Sequence, residues 1–295
     1  MPNEIQVKSV LNKTKQRDPW FLDDYTINPY SGCSFNCLYC YIRGSKYGIH
    51  MEEKTSIKIN AFEILEKQLA TRANKNQYGI IVLSSATDPY LHFEKEYQLT
   101  RRILELILKY KFPVHIITKS DLVTRDFDLL HQINEQAILP SDLASRLDHK
   151  ALITFSFSTL DKEIAAIFEL GAPTPQQRLE TVKATLNAGF FSGISLMPLL
   201  PFISDTEEAL TLFLHTFSSL KINYIFPAPL TLFGSTPSDS LSLVFRAIEK
   251  YNPSLLPYYK NLFTTPGSRL KNYHNEFYQR FKKVNQRFGL KQSIL

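Results

Sequence analysis

The chain has 295 residues, 44% hydrophobic and 21% charged, a composition that excludes disordered and fibrous classes and allows a large core. No apolar run reaches the ~18 residues of a membrane span, and residues 1–20 lack the apolar stretch of an export signal, so the sequence reads as soluble and cytoplasmic. The net charge of +6 is local: Arg269, Lys271, Arg280, Lys282, Lys283, Arg287 and Lys291 stand against Glu276 alone, which leaves the rest of the chain neutral.

Strand and helix periods alternate along most of the length. An extended piece is predicted over residues 25–28, running into the turn-rich Pro29-Tyr-Ser-Gly-Cys33. A helix follows at 61–72, then a buried-type strand at 78–83 that ends in the polar turn Ser84-Ser-Ala-Thr-Asp-Pro89. The helix expected at 97–110 carries Leu99, Ile103, Leu106 and Ile107 on one face. A strand at 113–117 closes on Thr118-Lys119-Ser120, and another helix is predicted at 126–134. Residues 136–150 read as an inserted helical hairpin. Strand 151–157 precedes helices at 162–168 and 176–188, and strands at 193–197 and 223–227 flank a helix at 205–220. Beyond Leu230 the strands stop, and aromatic-rich helices are predicted at 238–250 and 272–288.

Six strand–helix pairs in succession predict an α/β fold of parallel strands with right-handed crossovers. Six is two short of a closed barrel. The expected architecture is therefore an open, partial (β/α)6 barrel rather than a doubly wound sheet. Residues 1–229 would form the barrel with its lead-in, and residues 230–295 a basic, aromatic helical extension packed on it. Within that extension Phe277, Phe281 and Phe288 share the spacing of one buried stripe.

The three cysteines, Cys33, Cys37 and Cys40, fall within eight residues in a C-x3-C-x2-C pattern. An odd count without an export signal argues against a disulfide framework. Thiolates suit zinc, copper(I) or iron–sulfur clusters. A structural zinc site takes four protein ligands, and here no fourth cysteine exists and His50 is ten residues beyond Cys40. Three thiolates suit a [4Fe–4S] cluster with one iron left open; the structural alternative is a Cys3His zinc site that recruits a distant histidine.

This motif, with the aromatic Tyr39 before its last cysteine, resembles that of the radical S-adenosylmethionine (SAM) enzymes. Asn28-Pro-Tyr-Ser-Gly-Cys33, Cys40-Tyr41, Thr87-Asp-Pro-Tyr90, Thr118-Lys-Ser120, Arg125-Asp126, Arg178, Ala188-Gly189 and Pro198-Leu-Leu-Pro201 look like the spore photoproduct lyase-related group, often labelled DNA repair photolyase. The likeness spans residues 8–226, with a weaker match at 267–289. It implies the partial barrel, a [4Fe–4S] cluster held by Cys33, Cys37 and Cys40, and reductive cleavage of SAM to a 5′-deoxyadenosyl radical that abstracts hydrogen from a substrate. It also implies an external electron donor of flavodoxin or ferredoxin type. Nucleic acid is the leading substrate class, on the likeness and the basic tail. The alternatives are radical modification of a peptide or small molecule, and a non-catalytic iron–sulfur redox sensor that binds nucleic acid.

The reactive face of a parallel barrel lies at the strand C-termini, so the polar strand ends are the candidate cofactor contacts. By the resemblance these are Ser85 after the second strand, Lys119 after the third and Ser156 at the end of the fourth, with Arg178 as a second cation for the SAM carboxylate. Tyr39 is expected to pack over the cluster. The chain departs from spore photoproduct lyase in one respect: that enzyme uses a further cysteine near the end of the second strand to quench the product radical. Here that stretch reads Ile81-Val-Leu-Ser-Ser85. No thiol hydrogen donor is present, which argues against spore photoproduct repair itself.

Overall fold

A computed structural model describes residues 2–44, 55–83 and 86–295. Six parallel strands lie side by side in chain order: β1 (Tyr25–Ile27), β2 (Ile81–Leu83), β3 (Val114–Thr118), β4 (Ala151–Ser156), β5 (Phe191–Leu199) and β6 (Tyr224–Pro229). Their registers run Tyr25↔Ile81, Ile81↔Val114, Val114↔Ala151, Leu152↔Phe191 and Gly193↔Tyr224. Among the described residues β1 and β6 do not pair, and a two-residue antiparallel strand, Asn12–Lys13, lies on the outer edge of β1. This is the open wall of a partial barrel. All six residues of β4 are buried, as expected of a strand covered on both faces.

Helices α1 (Ala61–Asn74), α2 (Leu99–Lys109), α3 (Phe127–Gln136), α4 (Lys162–Phe168), α5 (Pro175–Asn187) and α6 (Glu207–Ser219) fill the crossovers. Helix α5 begins at a reciprocal capping box between Thr174 and Gln177, with Pro175 in the first turn. Beyond the barrel come α7 (Ser240–Tyr251), α8 (Leu256–Thr264) and α9 (Arg269–Asn285).

Two segments depart from the sequence reading. Residues 136–150 form no helical hairpin: α3 ends at Gln136 and the remainder is turns. Leu143 and Leu147 have helical spacing, but they serve as two apolar anchors beneath the barrel floor, packed with Leu22, Ile80, Leu152 and Tyr224. Helix α8 lies between the two helices expected in the extension and is additional to them; Pro257 lies in its first turn, where a missing N–H removes nothing.

The extension packs on the barrel. Phe277, Phe281 and Val284 of α9 are fully buried, whereas Phe288 lies past the helix end and is half-buried. The Ile225 amide donates to the Lys291 carbonyl at 2.8 Å, so the C-terminal segment covers the edge of β6. The basic tail is partly neutralised by α6 and the turn before it. Arg280 pairs with Asp205 at 3.4 Å, and Lys283 and Arg287 reach Glu207 at 3.2 and 4.0 Å. Among the described residues no helix is long and apolar enough to cross a membrane.

Candidate active site

The cysteine loop leaves β1 through Tyr30–Ser31, which pairs with Ser56–Lys58. It then makes three successive turns. The carbonyl of each cysteine accepts the amide three residues on: Cys33 from Asn36 at 3.2 Å, Cys37 from Cys40 at 3.3 Å and Cys40 from Arg43 at 3.1 Å. Asn36 takes a positive φ of 50°, tolerated by asparagine. The buried Arg43 fills the space behind these turns, donating through Nε to the Cys37 carbonyl at 3.0 Å and through Nη1 to the Ser238 carbonyl of the extension at 3.3 Å.

The loop is clamped from the α4 side. Leu38 donates to the Phe168 carbonyl and Gly171 to the Phe35 carbonyl, both at 2.9 Å, and Cys37 bridges Glu169. Gly171 is required here, since a Cβ at that position would stand 2.2 Å from the Ser34 carbonyl oxygen.

One cavity of about 510 Å³ opens where the loop meets the strand ends. Cys33, Cys37, Tyr39, Cys40 and Tyr41 form one side, and Asp88, Thr118, Lys119, Ser156 and Ser195 the other. Ser156 and Ser195 are register partners in β4 and β5. The Lys119 ammonium lies 6.0 Å from the centroid of the Tyr39 ring. The Asp88 carboxylate accepts from the Thr118 hydroxyl and the Lys119 amide at 2.8 Å, and from the Tyr90 amide at 2.9 Å.

All three thiols are free. Burial, with the negative charge of Asp88 added at Cys33, pushes the Cys33 thiol up to about 12; burial takes Cys37 to about 12 and Cys40 to about 11. A metal centre that takes thiols raised in this way as thiolates releases their protons. Among the described residues no three His, Cys, Asp or Glu side chains are gathered as a ligand set for a metal ion. The donor chemistry nevertheless fits an iron–sulfur group: three soft, unbridged sulfurs on one short loop, all on the wall of one cavity.

The structure brings Cys33, Cys37, Cys40, Tyr39, Lys119 and Ser156 together. Ser85 lies outside the described residues, as does His50. Arg178 is elsewhere: it is fully buried beside the cavity wall, ion-paired with Glu169, with Nη1 donating to the Ser156 carbonyl at 2.8 Å and its guanidinium 5.1 Å from the Phe157 ring centroid. Its partner Glu169 had not been singled out. That carboxylate is 3% exposed and accepts from the Tyr39 hydroxyl and, at 2.8 Å, from Ser158. Although burial opposes it, the positive charge of Arg178 and Lys119 holds the Glu169 carboxyl below its ordinary range. One signal was available: Glu169 follows the last residue of α4, where the helix dipole disfavours a carboxylate.

An open parallel barrel with three free thiols at its reactive end defines a class, and comparison with known proteins agrees with it. The sequence profile of the radical SAM superfamily matches residues 27–214. The chain belongs to that superfamily. It is 30% identical over 209 residues to an uncharacterized protein of Methanocaldococcus jannaschii, covering 69% of this chain and 70% of the other. An uncharacterized protein of Mycobacterium bovis is 28% identical over 267 residues, covering 88% and 73%. Among solved structures, spore photoproduct lyase with bound AdoMet and dinucleoside spore photoproduct aligns over 97% of this chain and 78% of its own, at a TM-score of 0.62 and 13% identity. At that identity the likeness concerns the fold.

Proposed function

We propose that the protein is a cytoplasmic radical SAM enzyme that binds one [4Fe–4S] cluster through Cys33, Cys37 and Cys40 and uses it, with an external flavodoxin- or ferredoxin-type donor, to modify a nucleic acid. The observation that carries the reading is that the three free thiols face the same cavity as Lys119 and Ser156 at the strand C-termini. When bound, the cluster supplies the electron that cleaves SAM to a 5′-deoxyadenosyl radical. The protein's part is to bind and orient. Lys119 offers a cation to the SAM carboxylate, Ser156 offers a hydroxyl, Ser85 is assigned to the SAM amino group, and Tyr39 packs beside the cluster.

Two features support nucleic acid as the substrate class. Phe202, which follows β5 on the reactive side of the sheet, is 38% exposed, and its ring lies 5.7 Å from that of Tyr258, which is 58% exposed. Such rings are stacking platforms for unpaired bases. Lys271, Lys282 and Lys291 are exposed on the extension, a charge that attracts phosphates. The structural relative above carries a dinucleoside photoproduct.

Two measurements test the reading. Iron and sulfide determination with electron paramagnetic resonance after anaerobic reconstitution is expected to give about four irons per chain, lost in Cys37→Ala; one zinc and no iron would overturn it. Binding of single-stranded DNA or RNA is expected to weaken with salt and to fall in Phe202→Ala/Tyr258→Ala. The absence of any binding at low salt would turn the search to peptides and small molecules.

A further inference from the structure

Two triads of the same composition hold the cysteine loop, one of them buried throughout and the other with its arginine partly exposed. At its start Tyr30 donates its hydroxyl hydrogen to Glu94, which pairs with Arg125 at 2.7 Å and accepts the Thr100 amide at 3.0 Å. Further along, Tyr39 donates to Glu169, which pairs with Arg178. The triads differ in where the arginine goes next. Arg125 turns to Asp126 at 2.8 Å, among residues that do not line the cavity. Arg178 instead donates to the backbone carbonyl of Ser156, whose residue forms the cavity wall.

We propose that Glu169 is a positioning residue: through Tyr39 on one side and Arg178 on the other, it holds the Cys37–Cys40 turn in register with the end of β4. This rests on the reading above that the cavity takes a cluster and SAM. A ligand that contacts both the cysteine loop and β4 needs these two pieces of chain at a fixed separation, and misplacement of about 1 Å is costly to such sites. Sheet hydrogen bonds do not fix it: the Cys37–Glu169 bridge and the Leu38–Phe168 and Gly171–Phe35 backbone bonds tie the loop to the end of α4 and the segment after it, not to β4. A buried ion pair adds little to stability against an apolar replacement, and its best-attested use is to specify register. Charge-assisted hydrogen bonds from Tyr39, Ser158 and Arg178 to one carboxylate supply the stiffness.

The test compares the reconstituted wild-type protein with Tyr39→Phe, Glu169→Asp and Tyr224→Phe. The last removes a buried hydroxyl bonded to Thr154 at 2.8 Å, away from the cavity. Iron per chain, the dissociation constant for SAM and the SAM-induced change in the resonance spectrum of the reduced cluster are measured. All four proteins are expected to bind equal iron. SAM binding is expected to weaken about tenfold or more in Tyr39→Phe and Glu169→Asp, with a smaller spectral change, while Tyr224→Phe matches wild type. SAM affinity and spectra equal to wild type in both variants would overturn the proposal, as would an equal loss in Tyr224→Phe. If Glu169→Asp fails to fold, Tyr39→Phe decides alone, since it leaves the Glu169–Arg178 pair intact. A wild-type protein that holds neither iron nor SAM would instead refute the proposed function itself.

Discussion

The Asp88 carboxylate accepts the hydroxyl hydrogen of Thr118 at 2.8 Å, and this contact ties the turn after β2 to the end of β3, where Lys119 begins its reach into the cavity. The same carboxylate takes the Lys119 and Tyr90 amides. Asp88→Ala leaves these donors without their acceptor in a buried setting, at about 1–3 kcal/mol for each one left unsatisfied. Urea denaturation is expected to register a loss of about 3 kcal/mol, with SAM affinity falling because Lys119 is no longer held. An unchanged midpoint would mean that water replaces the carboxylate.

Lys119 itself is half-buried on the cavity wall. Lys119→Ala is therefore expected to keep the fold and the iron content while weakening SAM binding about tenfold, the scale of one hydrogen bond to a charged group. Calorimetric titration checks this. Equal affinities would remove Lys119 from the site.

Glycine 171 separates packing from backbone strain. In Gly171→Ala the new methyl meets the Ser34 carbonyl oxygen at 2.2 Å and the Phe35 Cα at 3.2 Å, so the cysteine loop must move. Iron content is expected to drop by more than half, with stability falling by about 1–3 kcal/mol. Gly189→Ala places a methyl in open space at a φ of +83°. That substitution is expected to cost about 1 kcal/mol and to leave the iron content unchanged.

His115 supplies a pH signature. It lies buried between the Phe21 carbonyl at 2.8 Å and the Thr154 hydroxyl at 2.6 Å, and burial lowers its pKa from 6.5 to about 4. The folded protein thus holds it neutral, whereas the unfolded chain protonates it below about pH 6.5. Its contribution is complete above pH 6.5 and declines as the pH falls toward 4, by about 3 kcal/mol in all. The difference in unfolding free energy between wild type and His115→Gln is expected to shrink over that window. A difference independent of pH would show that the folded imidazole takes up the proton.

What the sequence disclosed follows from how locally each feature is encoded. The cysteine loop concentrates its chemistry in eight residues, and Lys119 and Ser156 end apolar strand runs, so both were legible. The six strands in chain order were legible because each apolar run alternates with a helical period. Glu169 and Glu94 were not, since their partners Tyr39 and Tyr30 lie 130 and 64 residues away and no local pattern links them. The partial pairing of the basic tail is hidden for the same reason: Asp205 and Glu207, which neutralise part of it, lie 75 and 76 residues before their partners. Residues 136–150 misled because two leucines four apart have helical spacing whether they anchor a helix or a series of turns.

The most direct measurement is turnover of SAM. The protein, reconstituted anaerobically with iron and sulfide, is given SAM and dithionite, and 5′-deoxyadenosine is quantified by chromatography. Formation of 5′-deoxyadenosine by the wild-type protein, and its loss in Cys37→Ala, is the result expected. A protein that holds about four irons per chain yet forms none would contradict the enzymatic reading and leave the redox sensor in its place.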